Sequence, residues 1–276
     1  NAKLVLANEI ISGSLNIVDG QIAGIDRGAS PKSDDVEGDF IIPGLVELHT
    51  DHLESHFHPR PGVEWPAESA VMAHDAQIAA AGITTVFDAL RAGSFDPNDY
   101  SARSGEHLAN AIHAAQAKGQ LRTSHFIHLR CELPCADTVE AARKTVAAGD
   151  IRLISLMDHT PGYRQFVSIE KFKEYYLGKK LILPEKIEDY IAEKLELQNR
   201  HAAANKIEIL NLTRSLGISL ASHDDATSGH VDEAVEDGAV IAEFPTSAES
   251  AEAAHRHGLA VLMGAPNIVR GGSHSG

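Results

Sequence analysis

The chain has 276 residues, 43% hydrophobic and 23% charged, with a formal net charge of -15. Those proportions suit a globular protein with a sizeable core. The acidic balance argues against nucleic acid or an anionic membrane as a partner, since both are bound through basic surface. No apolar run is long enough to span a bilayer, and no basic-then-apolar signal opens the chain. Cys131 and Cys135 are too few and too close for a disulfide framework, so a cytoplasmic protein with reduced thiols is expected.

Residues 1–40 form short apolar pieces, "KLVLANEII", "GSLNIVDG" and "QIAGIDRG", separated by Gly, Asn and Asp. They predict a small β subdomain that cannot close a core of its own. Residues 41–276 change character. Strands are expected at "FIIPGLVELHT", "ITTVFDAL", "SHFIHLRCEL", "IRLISLMDH", "ISLASHDD", "AVIAEFP" and "LAVLMGAPN", alternating with helical segments that Gly repeatedly ends. One helical stretch is long, from about 168 to 216. The segment after the first strand, with His56, His58 and Arg60, is expected as a loop.

Such alternation implies an α/β fold with a parallel sheet. A TIM-like (β/α)8 barrel is preferred to an open doubly wound sheet, because the chemistry-bearing residues fall at strand C-terminal ends, which a barrel gathers into one ring. The pattern stops one strand short, so this chain is expected to lack the eighth strand.

Sixteen histidines are present, and position separates them. His74, His107, His113, His201, His255 and His257 lie on helical segments and are read as non-catalytic. His49 and Asp51 end the first strand at i and i+2, on one face. Imidazole with carboxylate is a ligand pair for zinc or a similar divalent ion. Taken alone, H-x-D is weak, and a polar strand end without a ligand role competes with it. Three further strand ends repeat the form: Glu132 in "LRCELP", Asp158 and His159 in "SLMDHTPG", and His223, Asp224 and Asp225 in "LASHDDAT". Arg60, Arg164 and Arg270 stand in loops where their planar forks could meet phosphate oxygens. Ser273 and His274 in "RGGSHSG" add a flexible anion cradle. "KFKEYYLGKK" is a candidate lid or a solvated helix face.

"DFIIPGLVELHTD" resembles the first-strand signature of the amidohydrolase superfamily, with its usual H-x-H altered to His49-x-Asp51. More narrowly, "HTDHLESHFHPRPGVEWP", "LRCELP", "MDHTPGYRQF", "SHDDAT" and "APNIVRGGSHSG" resemble the PhnM-type branch of phosphonate metabolism. The resemblance implies that residues 1–40 belong to a composite β-sandwich. It also implies a hydrolase that cleaves a ribose 5-triphosphate to the 5-phosphate and pyrophosphate with one or two divalent ions, zinc, manganese or iron. Carried over, His49 and Asp51 bind the deeper ion, Glu132 bridges, and His159 and His223 bind the second. Asp51, Glu132 and His223 are the catalytic candidates. A phosphorylated sugar is the implied partner, and a homodimer is plausible for such barrels. The family's eighth-strand Asp has no counterpart. Two other readings stand: hydrolysis of a cyclic amide or deamination of a base on the same fold, and a metal-binding subunit without activity.

Overall fold

The structure is a computed structural model, and it describes residues 1–95 and 104–272. It divides into two units, Asn1–Val46 and Glu47–Gly276. The first holds a four-stranded sheet of β1 (Ala2–Val5), β2 (Ile10–Val18), β3 (Gln21–Arg27) and β4 (Phe40–Ile41), in the order β3-β2-β1-β4. "KLVLANEII", expected as one apolar piece, makes two antiparallel strands, because a tight turn closed by Leu6 N–H to Glu9 C=O (2.9 Å) interrupts it. Ala2, Leu4 and Ile11 form its small core.

The second unit contains β5 (Leu45–Thr50) from Glu47 on, β6 (Ile83–Ala92), β7 (Ser124–Glu132), β8 (Ile151–Met157), β9 (Ser219–His223), β10 (Ile241–Glu243) and β11 (Ala260–Leu262). They form one sheet in strict chain order, β11-β10-β9-β8-β7-β6-β5, a curled parallel half-barrel. A doubly wound sheet reverses its order at a switch point; this one never does, which decides between the two architectures.

The described helices are α1 (His52–Phe57), α2 (Ala67–Ala80), α3 (Gly105–Ala117), α4 (Thr138–Ala148), α5 (Ile169–Gly178), α6 (Ile187–Leu216), α7 (Ser228–Asp237), α8 (Ala248–Arg256) and α9 (Ala265–Arg270). The loop expected after the first strand instead begins with α1. Leu53 and Phe57, one turn apart, are both buried and hold that turn against the core. The long stretch after residue 168 is two helices, since Pro184 cannot continue α5 and Lys180 turns left-handed at φ 55°. Gly217 ends α6 at φ 63°, a left-handed cap that costs glycine little. None of the described helices is long and apolar enough to cross a membrane.

Strand β7 shows how the layers are sorted. Ile127, Leu129 and Cys131 join the main core beneath the helices. His128, Arg130 and Glu132 alternate with them and take the inner face. The interior therefore turns polar toward the C-terminal ends of the strands.

One polar cluster lies in the helix-facing layer. Asp88 of β6 accepts hydrogen bonds from His74 Nε2 and His125 Nδ1, each 2.8 Å away, and all three side chains are fully buried. Thr123 Oγ donates to Asp75 (3.0 Å) and so accepts from His125 Nε2 (2.8 Å), which makes both imidazole nitrogens donors. Burial opposes charge here, but the carboxylates of Asp88 and Asp75 outweigh it and raise the pKa of His125. Burial likewise opposes ionisation of Asp88, and His125 and His74 overcome it and lower its pKa. A lowered carboxyl contributes its stability above the ordinary value near 4 and loses it as pH falls; a raised imidazole contributes below about 6.5 and loses it as pH rises. Asp88→Ala is therefore expected to destabilise the fold by about 3–5 kcal/mol, most strongly between those two values. Urea unfolding of both proteins across pH checks this.

Candidate metal centre

Six side chains meet at the strand ends: His49 of β5, Glu132 of β7, His159 just after β8, His223 of β9, Asp224 after it and Glu243 of β10. β5 and β10 lie near opposite ends of the sheet order, yet His49 Nδ1 is 3.0 Å from Glu243 Oε1 and its ring stacks 5.6 Å from that of His223. Curling of the sheet brings them together. The residues after His223 and Glu243, Asp224 (φ 54°) and Phe244 (φ 51°), are both left-handed. Such backbone costs on the order of 1–3 kcal/mol per residue. It turns the chain sharply, and Phe244 packs its ring 4.9 Å from His49 and 5.6 Å from His223.

The three histidines share one wiring. Nδ1 of His49 and of His223 each lie 3.0 Å from an oxygen of Glu243. Nδ1 of His159 lies 2.5 Å from Glu132 Oε2, and Glu132 Oε1 accepts the His159 backbone N–H at 2.9 Å. The Nε2 atoms face other carboxylates: His49 toward Asp51 Oδ1 (3.5 Å), and His159 and His223 toward Asp224 Oδ2 (3.7 and 3.4 Å). Imidazoles that ligate metals usually carry a carboxylate or carbonyl on the far nitrogen.

Burial opposes charge on His49, but Asp51 and Glu243 outweigh it and raise its pKa to about 9. For His159, Glu132 and Asp224 overcome burial and raise the value to about 10. Glu132 is in turn pulled down to about 2 by His159 against its own burial. Burial resists ionisation of Asp51, while His49 and Arg130 hold it well below the usual range. For His128 burial outweighs the nearby Glu243 charge and lowers the pKa to about 4.

The donor set fits a divalent cation. Asp224 Oδ2 is buried without a hydrogen-bond donor, although two imidazole nitrogens approach within 4 Å. A desolvated carboxylate oxygen left this way is costly unless something positive meets it. Ligand atoms of His159, His223 and Asp224 lie within 4.8 Å of one another, as do those of His49, His223 and Glu243. N and O donors of this kind suit zinc, manganese or iron.

The residues expected from the sequence fare unequally in this geometry. His49, Asp51, His159 and His223 gather. Glu132, expected to bridge two ions, gives both oxygens to His159. Arg164, expected on phosphate, donates instead to Asp225 and to Glu233 (2.9 Å), bracing the loop after β8 against α7. Arg60 is exposed beside the turn closed by Val63 N–H, and Arg270 ends α9. Ser273 and His274 lie outside the described residues.

Glu243, Arg130 and Lys194 were not expected. Glu243 ends "AVIAEFP", an apolar strand closed by a carboxylate like the others, so the signal was present. Arg130 precedes Glu132 by two and shares its face; its guanidinium lies 3.1 Å from Asp51 Oδ1. Lys194 is buried on α6, over the rings of Phe95 and Tyr190, and burial lowers its pKa to about 8 despite the Glu132 charge. Nothing in its mixed-charge helical stretch distinguishes it.

No family model matches the chain. It is 49% identical over 278 residues to the alpha-D-ribose 1-methylphosphonate 5-triphosphate diphosphatase of Escherichia coli strain K12, covering 100% of this chain and 74% of that protein. It is 41% identical over 90 residues to the adenine deaminase of Geobacillus kaustophilus strain HTA426, which is 31% of this chain and 13% of that one. Among solved structures, an adenosine deaminase from Xanthomonas campestris with bound zinc superposes with a TM-score of 0.47 at 14% identity, covering 95% of this chain and 67% of that one. A D-hydantoinase gives 0.38 at 16%, and the chain spans 56% of its length. Identity at that level across the whole chain places it: the chain belongs to the alpha-D-ribose 1-methylphosphonate 5-triphosphate diphosphatase family.

Proposed function

We propose that the chain is a metal-dependent hydrolase that converts α-D-ribose 1-methylphosphonate 5-triphosphate to the 5-phosphate and pyrophosphate. The observation that carries this reading is the 49% identity over the whole chain to a diphosphatase of that substrate. The site chemistry supports it. His49 and Asp51 would hold one divalent ion, and His159, His223 and Asp224 the other, with the imidazole Nε2 atoms as the donors on offer. Glu132 and Glu243 orient those rings from behind. Zinc is the favoured ion, since imidazole and carboxylate in this ratio suit it.

A divalent ion in such a site supplies Lewis acidity, acidifying water and offsetting charge on phosphoryl oxygens. The remaining work is positioning and charge neutralisation, which dominate phosphoryl transfer. The bond between the α- and β-phosphoryl groups breaks, water supplies the oxygen and proton, and pyrophosphate departs. Arg130 fixes the Asp51 carboxylate at the mouth. Arg60, Arg270, Ser273 and His274 are the proposed contacts of the triphosphate tail. Phe244 packs edge-on against the His49 and His223 rings and helps hold them in place.

Phosphorus NMR of a reaction with the zinc-loaded chain tests the assignment. Paired signals of 5-phosphate and pyrophosphate are expected. An intact triphosphate, or ammonia released from adenine in a parallel assay, would overturn it.

A further inference from the structure

Glu243 is fully buried, and its two oxygens face imidazoles delivered by different strands. Oε1 lies 3.0 Å from His49 Nδ1 and Oε2 lies 3.0 Å from His223 Nδ1. Oε2 also accepts from Ser155 Oγ at 2.6 Å, and Ser155 in turn touches His128 Nε2, whose Nδ1 lies 3.0 Å from the Leu48 carbonyl. Ser155 and His128 therefore leave the Glu243 carboxylate little freedom to rotate.

We infer that Glu243 is the positioning residue that sets the tautomer of His49 and His223 together, so that both present an Nε2 lone pair to the metal centre. This rests on the metal-dependent reading of the site. The reason is donor and acceptor arithmetic. A carboxylate only accepts hydrogen bonds. Each Nδ1 it meets must carry the proton, and each Nε2 is then the atom left for a ligand bond. One side chain thereby couples two ligands that the sheet order places far apart.

An amide cannot do both. In Glu243→Gln the carbonyl oxygen belongs at the Oε2 position, where Ser155 and His223 both donate. The NH2 then faces His49. His49 Nδ1 has to accept, its Nε2 carries the proton, and that nitrogen is lost as a ligand. The substitution conserves shape and volume, so it separates hydrogen-bond polarity from packing.

The test is zinc titration by chelator competition on the folded chain. Glu243→Gln is expected to weaken one zinc equivalent roughly 10–100-fold and spare the other. His49→Ala added to it should cost that equivalent little more, because the two changes remove the same bond. Wild-type affinity at both equivalents in Glu243→Gln would overturn the inference while leaving the metal reading intact. A wild-type chain that binds no zinc would overturn both. Should Glu243→Gln fail to fold, nitrogen-15 NMR of the zinc-loaded wild type decides. Protonated Nδ1 with metal-bound Nε2 is expected at His49 and His223, and a metal-bound Nδ1 at either overturns the inference.

Discussion

His223→Ala is expected to lower kcat/KM by roughly 10^3-fold or more, about 4 kcal/mol of transition-state stabilisation, and to take bound metal with it. His223 touches every part of the site. Its Nδ1 is 3.0 Å from Glu243, its Nε2 is 3.4 Å from Asp224, and its ring packs 5.6 Å from those of His49, His159 and Phe244. Removing it subtracts a proposed ligand, leaves Asp224 facing one imidazole instead of two, and leaves Glu243 Oε2 with Ser155 alone. His113→Ala is the control, since His113 is exposed on α3; it should keep full activity and metal content. Steady-state kinetics with elemental analysis on both variants decides. Activity of His223→Ala within tenfold of wild type would remove His223 from the site.

Metal uptake is expected to release about two protons and to tighten about 100-fold per pH unit between pH 7 and 9. The cause is the pair of raised imidazoles, His49 at about 9 and His159 at about 10 in the metal-free protein. Below those values each Nε2 carries a proton that the ion has to displace. The sign for folding runs the other way. A group raised on folding contributes stability below its ordinary 6.5 and loses it as pH climbs through the folded value. The metal-free chain should thus weaken progressively as pH rises from about 6.5 towards 10, and metal should restore it over that range. Calorimetric titration with zinc in buffers of different ionisation heat counts the protons. A pH-independent affinity would show that the ion displaces no proton from His49 or His159 in this range.

The strand ends were the legible part of the sequence. Apolar run, then His or acid, then turn, marked His49, His159 and His223, and the β/α alternation gave the strand order. Glu243, at the end of "AVIAEFP", carried the same signature as Glu132 and was passed over. The wiring was beyond the sequence, because it depends on which strands curl against each other. Nothing local joins residue 49 to residue 243, and only the curvature of the sheet does. Arg164 looked like a phosphate ligand because its loop follows His159. In space that loop meets Asp225 and Glu233, and two carboxylates occupy its fork. Helix α1 was missed because six residues with four polar ones show little periodicity, and burial of Leu53 and Phe57 supplies what propensity does not.

The most direct test of the account is metal content of the purified chain together with triphosphate hydrolysis before and after chelation. The account predicts about two equivalents of divalent metal, zinc foremost, with pyrophosphate release lost on stripping and regained on adding zinc back. Undiminished hydrolysis by protein stripped of all metal would contradict it.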